Sequence, residues 1–233
     1  MIIVSKPSRP RSFQQRYTTD LAIEAVRVAL MAVNHGYPGG EALPVDSLRA
    51  RVGALIGAGS VGDQGLAGRE LPILIRDLHT SIAAGRDVAE LLGLAVLLHT
   101  QATIGWLRTA GATVDLREPA AVLARRAAEE RDTPTVRSLA AAGAVRVMLS
   151  TGAFDLAQAE LDSVTVPTTT PQTMQIDGML ALYRAEVAAA DSRPGDVDPA
   201  LAQWVASCAG WLTGPACRCS PTGGCSTSRT VRA

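Results

Sequence analysis

The stretch ALIGAGSVGDQG, residues 54–65, decides between two folds. Gly57, Gly59 and Gly62 have the G-x-G-x-x-G spacing of the turn that holds a dinucleotide between a strand and a helix. The apolar residues before this turn recur at helical spacing, however, and Gly65 and Gly68 follow where the phosphate-binding helix would have to begin. We therefore predict a linker between two helices. A nucleotide-binding enzyme that uses Gly57–Gly62 is the alternative function.

Helical periodicity continues on both sides of this stretch. The predicted helices cover residues 19–34, 46–56, 70–84 and 88–109. The first two are joined by HGYPGGEALP, residues 35–44. Only AVRVML, residues 144–149, has the alternation of a strand, and it lies in an alanine-rich helical stretch that we predict to be helix. The sequence therefore predicts an all-α protein.

Prolines and glycines mark where further helices start and end. A polar residue before a proline is typical of an N-cap followed by the first helical position. Such pairs occur at residues 118–119, 133–134, 170–171 and 198–199. Gly111, Gly152 and Gly195 each follow a long apolar segment and recur at intervals of about 40 residues, the period of helical-hairpin repeats. We therefore predict antiparallel helix hairpins stacked as a tetratricopeptide-like α-solenoid.

This pattern divides the chain into three parts. Residues 1–19 carry basic side chains among prolines and are predicted to be a basic flexible leader. Residues 20–209 are the predicted helical-repeat domain. Residues 210–233 lack helical periodicity and are predicted to be an irregular tail that contains Cys217, Cys219 and Cys225. With Cys208, these cysteines lack the paired C-x2-C spacing of a zinc module, so no metal site is predicted.

Composition limits the classes of protein that the chain can belong to. Apolar residues make up 47% and aromatic residues 3% of it, so the core must be built from Ala, Leu and Val. Lys+Arg and Asp+Glu number 22 each, which argues against a domain that holds nucleic acid mainly through its phosphates. The apolar run over residues 91–107 is interrupted by polar residues, and no secretory signal is visible. We therefore expect a cytoplasmic protein with no membrane span and no cofactor.

Five residues are predicted to line a ligand-binding concave face: His99, Thr103, Arg137, Arg146 and Tyr183. His99 and Thr103 form a polar patch in the apolar run, and the two arginines lie on the first helix of the middle hairpin, where they would hold an anionic ligand or peptide. The favoured alternative for His99 is a core histidine bonded to a backbone carbonyl. For the arginines it is an ordinary exposed helix face. No catalytic residue is predicted.

Several segments share one overall pattern with a known class of regulators. They are ELPILIRDLHTSIAAGRDVAELLGLAVLLHTQATIGWLR (70–108), DLREPAAVLARRAAEERDTPTVRSLAA (115–141), STGAFDLAQAELDSV (150–164) and TTTPQTMQIDGMLALYRAEVAAAD (168–191). Leu-Pro at 71–72, Gly152 and Gly-Met-Leu at 178–180 stand out within them, and DLAIEAVRVALMAVNHGYPGG (20–40) precedes them. Together these segments resemble the C-terminal, tetratricopeptide-like region of actinobacterial helix-turn-helix regulators of the XRE class, over residues 20–190.

The resemblance implies a helical domain that senses a ligand or a partner on behalf of a DNA-binding domain. Only about nineteen residues precede Asp20, fewer than a helix-turn-helix domain needs, so we expect contact with DNA only indirectly, through a missing or separate helix-turn-helix domain. The expected partner is a peptide, protein or small molecule in the concave groove, and self-association into a homodimer stays open. The predicted function is a non-enzymatic ligand-sensing or protein-interaction module of a transcriptional regulator. Direct DNA binding through the basic leader is a third hypothesis.

Overall fold

The computed structural model describes residues 13–213, and these residues contain helices and no strand. The helices are α1 (Phe13–Asn34), α2 (Val45–Val61), α3 (Gln64–Ala83), α4 (Val88–Leu97), α5 (Ile104–Ala110), α6 (Val114–Arg131), α7 (Pro134–Thr151), α8 (Phe154–Asp162), α9 (Pro171–Ala190) and α10 (Pro194–Thr213), with a π-helical segment, Leu98–Thr103, between α4 and α5. The all-α prediction is confirmed for the described residues, including AVRVML inside α7.

The glycine stretch is mostly helix, so the prediction of a linker was wrong. α2 continues through Gly57 and Gly59, and only Gly62 and Asp63 separate it from α3. Gly62 has a φ of 81°, a left-handed conformation that glycine adopts without strain and that commonly ends helices. The prediction failed because helix propensity alone disfavours glycine, whereas tertiary packing of the apolar face overrides that local cost.

The surroundings of the stretch differ from those of a dinucleotide-binding turn. A helix precedes the glycines, where the fingerprint requires a strand. The Asp63 carboxylate accepts a hydrogen bond from the Leu66 backbone N–H at 3.0 Å and so caps the start of α3. That carboxylate occupies the helix N-terminus at which a pyrophosphate would be bound.

The proline rule for helix starts holds at two of its four positions. α7 and α9 begin at Pro134 and Pro171, and the Thr170 side chain accepts from the Thr173 backbone N–H in a capping box. α6 and α10 instead begin at Val114 and Pro194, before the predicted prolines. The prediction of starts at residues 118–119 and 198–199 was therefore wrong.

The glycine rule for helix ends holds at Gly111 and Gly152, which have φ values of 87° and 75° and terminate α5 and α7. It was wrong at Gly195, which lies in the first turn of α10. The left-handed residue of that turn is Ser192, with a φ of 55°. The third member of the predicted 40-residue period is therefore not a turn.

The described residues divide into two compact units, one up to Val164 and one from Thr165. In the first unit, α1 packs against α3 and also against α6. The packing in this unit therefore includes helices that are far apart in the chain. Its core combines leucines with the alanines of α6 and α7, as the aromatic-poor composition predicts. In the second unit α9 packs against α10.

The predicted ends of the chain lie mostly outside the described residues. Residues 1–12 of the leader and 214–233 of the tail, with Cys217, Cys219 and Cys225, are not described. The helix that we expected from Thr19 begins at Phe13, so residues 13–19 belong to α1. Likewise α10 extends to Thr213, past the expected start of the tail.

One stretch among the described residues, Val88–Ala110, is long and apolar enough to cross a membrane by length and composition. Of its most apolar window, 61% is buried against other parts of the protein. Burial of this kind is typical of a helix at the centre of a helical domain, which is apolar on nearly all sides.

Candidate functional site

The π-helical segment Leu98–Thr103 is the least regular part of the central helix. Within it the Thr103 hydroxyl donates to the Leu98 carbonyl, five residues earlier, at 3.0 Å. The Thr100 hydroxyl donates to the Val96 carbonyl at 2.7 Å. Both hydroxyls are buried and are satisfied within their own helix. Because π-helical insertions are frequent at functional sites, this segment is the starting point for the site.

His99 of this segment faces His79 of α3. The Nε2 atoms of the two rings lie 2.9 Å apart, and the ring centroids are 5.2 Å apart at an interplanar angle of 39°. At this distance the Nε2–H group of one ring donates a hydrogen bond to the Nε2 atom of the other. His99 has no exposed surface, and within residues 13–213 its Nδ1 has no hydrogen-bond partner. Donation from His99 Nε2 leaves that Nδ1 as an unpaired acceptor, which is less unfavourable than an unpaired buried donor.

Both histidines are neutral near pH 7. Burial lowers the pKa of His79 from 6.5 to about 4. Burial also lowers the pKa of His99 well below 6.5, and the proximity of His79 lowers it further. Two imidazolium ions could not share this contact, because each would be desolvated and would repel the other. The pair is therefore an uncharged hydrogen bond between two helices.

Helix α7 also contacts the π-helical segment. A Cβ atom at Gly143 would lie 2.6 Å from the Thr100 Cγ2 atom, so only glycine permits this approach. Farther along α7, Arg146 Nη1 donates to the Thr100 carbonyl oxygen at a long distance of 3.4 Å. The segment thus contacts α3 through His99 and α7 through Thr100. We call His79, His99, Thr100, Thr103 and Arg146 the π-segment cluster.

The five predicted site residues are not all brought together. His99, Thr103 and Arg146 belong to the π-segment cluster, but His99 and Thr103 have no exposed surface and do not line an open groove. Arg137 lies at the start of α7 and forms an ion pair with Asp132 at 2.8 Å. Tyr183 is half-buried on α9, in the second unit.

Sequence reasoning gave His79 no role and expected a backbone carbonyl as the partner of His99. A signal was available, because His79 continues the buried stripe of α3 that contains Leu71 and Ile75 at intervals of four residues. That stripe places an imidazole on the core side of α3. It does not identify the partner on another helix.

The cluster offers little for metal binding or for chemistry. Among residues 13–213, no group of three or more His, Cys, Asp or Glu side chains is placed to hold a metal ion. The two Nε2 atoms bind one another, and the threonine hydroxyls bind backbone carbonyls. The arrangement joins α3, the π-helical segment and α7.

Comparisons with protein-family models, with curated proteins and with solved structures give no match to this chain.

Proposed function

We propose that the chain is a non-enzymatic sensing or protein-interaction module of a cytoplasmic transcriptional regulator, of the kind found in the XRE class. The observation that carries this proposal is a groove of about 250 Å³ between α9 and α10. Met174, Met179, Leu182 and Trp204 contribute most of its apolar lining. Leu182 and Trp204 remain 37% and 39% exposed, although both are large apolar side chains.

The chemistry of this groove suits the apolar face of a peptide or a helix. Methionine side chains are flexible and polarisable, so a groove that they line adapts to differently shaped apolar partners. Exposed apolar side chains grouped on one surface are typical of protein-binding sites. An amphipathic helix placed in the groove would bury Trp204 and Leu182 together. Contact with DNA would then come from the bound partner, which would contain the helix-turn-helix domain.

The tetratricopeptide-like character of the proposal is supported by consecutive hairpins. α6 and α7 are joined through Asp132 and Thr133, α7 and α8 through Gly152, and α9 and α10 through a turn at Ser192. Short connections of this kind produce antiparallel neighbours. We limit the tetratricopeptide-like resemblance to these hairpins. The contact of α1 with α6 differs from the packing of a regular solenoid, in which each repeat contacts only its neighbours.

Chromatin immunoprecipitation of the tagged full-length chain, in the strain that carries its gene, tests the proposal. We expect reproducible enrichment of promoter DNA, and loss of that enrichment in Leu182→Glu. Leu156→Glu is the matched control, since Leu156 is 63% exposed on α8 and lies outside the groove. Both variants should retain the helical circular dichroism of the unmodified protein.

The two arms of this experiment have separate consequences. Enrichment no greater than in an untagged strain would overturn the regulatory function. Equal enrichment with Leu182→Glu would instead overturn the groove as its partner-binding surface.

A further inference from the structure

A cleft of about 420 Å³ opens in the first unit, away from the π-segment cluster. Its walls come from the N-terminal part of α1, the start of α3 and the end of α5. The lining residues used below are Ala22, Gln64, Gly68, Arg69 and Trp106. A volume of this size is typical of small-molecule sites, which combine apolar walls with a few polar groups.

Trp106 forms a fixed aromatic wall of this cleft. Its indole Nε1 donates to the Gln64 backbone carbonyl at 3.0 Å, and its side chain is almost fully buried. A Cβ atom at Gly68 would lie 2.9 Å from Trp106 Cζ2 and 3.1 Å from the Ala22 Cβ atom. Glycine at this position therefore lets α1, α3 and α5 approach around the indole. The ring is held in place before any ligand arrives.

Arg69 is the charged side chain of the described cleft lining. Among the described residues it makes neither a hydrogen bond nor an ion pair, and it is exposed. The nearby Asp63 carboxylate is engaged with the Leu66 backbone N–H. The Arg69 guanidinium is therefore the group of the described lining that can pair with an anionic group of a ligand.

Gln64 supplies the second polar feature. Its side-chain Oε1 atom is buried and has no hydrogen-bond partner among the described residues, while its backbone carbonyl is already bound to Trp106. An unpaired buried acceptor is unfavourable, and a donor on a ligand would remove that cost. Arg69, Trp106 and Gln64 thus line the same cleft. They are suited to an anionic group, an aromatic ring and a hydrogen-bond donor of a ligand, respectively.

We propose that this cleft binds a small aromatic monocarboxylate that carries a hydroxyl or N–H donor away from its carboxylate. The carboxylate pairs with the Arg69 guanidinium, the ring packs on Trp106, and the Gln64 side chain turns into the cleft so that its Oε1 atom accepts from the ligand donor. This site deepens the proposed sensing function and rests on it for its biological role. Trp106 also lies three residues after Thr103, so a ligand would contact the helix that contains the π-helical segment.

The probe is 4-hydroxybenzoate, added to the full-length chain labelled with ¹⁵N. We expect a saturable shift of the Trp106 indole N–H resonance, with the Trp204 resonance, in the other unit, as an internal reference. Benzoate, which lacks the distal donor, should bind several-fold more weakly. 4-Hydroxybenzyl alcohol, which lacks the charge, should bind at least tenfold more weakly.

Two arginine variants distinguish an effect of the charge in the cleft from an effect of the total charge of the protein. Arg69→Gln should weaken 4-hydroxybenzoate binding at least tenfold, since a charge-assisted pair is lost. Arg108→Gln, an exposed arginine on α5 outside the cleft lining, should leave it unchanged. Absence of a saturable shift, or equal affinity in Arg69→Gln, would overturn the site. Because binding is measured on the isolated protein, its failure is distinct from a failure of promoter association.

Discussion

His79 and His99 face each other from two helices, with their Nε2 atoms 2.9 Å apart inside the first unit. Burial keeps both rings uncharged, so the contact is a neutral hydrogen bond and not an ion pair. It joins α3 to the π-helical segment Leu98–Thr103 between α4 and α5. The consequences of this contact can be measured.

The free energy of unfolding should fall as the pH drops below 6.5. In the unfolded chain both histidines bind protons near pH 6.5, whereas in the folded protein the pKa of His79 is about 4 and that of His99 is also lowered. The unfolded state therefore holds more protons between these pH values, and stability rises with pH across that window. The slope is up to about 1.4 kcal/mol per pH unit for each histidine.

Urea unfolding at pH 7.5, 6.5, 5.5 and 4.5 measures this slope. His99→Phe should flatten it, because that variant removes one of the two shifted groups. His35→Gln, which removes an exposed histidine outside this contact, is the control. A slope that is the same in His99→Phe and in the unmodified protein would contradict the assignment to this pair.

Gly143→Ala should destabilise the protein by about 1–3 kcal/mol, because its new methyl group would lie 2.6 Å from the Thr100 Cγ2 atom. Thr100→Ser removes that Cγ2 atom and should recover part of the loss in the double variant. Gly53→Ala is the matched control, since its Cβ meets open space and should stabilise α2 by about 0.5–1 kcal/mol. Chemical denaturation gives all four values. Additive single effects would contradict the contact.

Arg117→Met should stabilise the protein by about 1 kcal/mol. Arg117 is 7% exposed on α6, and no described residue forms a hydrogen bond with its Nε. A buried guanidinium without a carboxylate costs free energy that an apolar side chain of similar length avoids. Arg125→Met, which loses an exposed pair with Glu160, should change stability by less than about 0.5 kcal/mol. A loss of stability in Arg117→Met would contradict this expectation.

NAD and ATP should give flat binding titrations with the full-length chain. Gly59 lies inside α2 with open space around its Cα, and Asp63 caps the following helix, so the stretch has no free phosphate-binding turn. Isothermal titration of the unmodified protein and of Gly59→Val checks this. Saturable binding that Gly59→Val abolishes would establish the enzyme alternative.

Most helices could be predicted from the sequence, because helix formation depends on local patterns. The apolar spacing, the Thr-Pro pairs at 133–134 and 170–171 and the turn at Gly152 all report on residues within one or two helical turns. Pro119 and Pro199 were misleading, because each lies in the second turn of its helix and not at the first helical position, where proline is favoured.

The site was less predictable because its contacts join distant parts of the chain. Twenty residues separate His79 from His99, and Gly143 approaches Thr100 from yet another helix. Apolar periodicity indicates that each residue is buried, but it does not specify which buried residues meet. His99 was therefore correctly considered as a core histidine, while its partner was not found.

If the π-segment cluster joins helices, the two imidazoles must remain neutral and bonded in solution. Long-range ¹⁵N–¹H correlation spectra of the imidazole nitrogens, recorded from pH 7.5 to 5, measure this directly. We expect His99 to remain an Nε2–H tautomer throughout. A His99 ring that becomes an imidazolium near pH 6.5 would contradict the buried contact and the packing built around it.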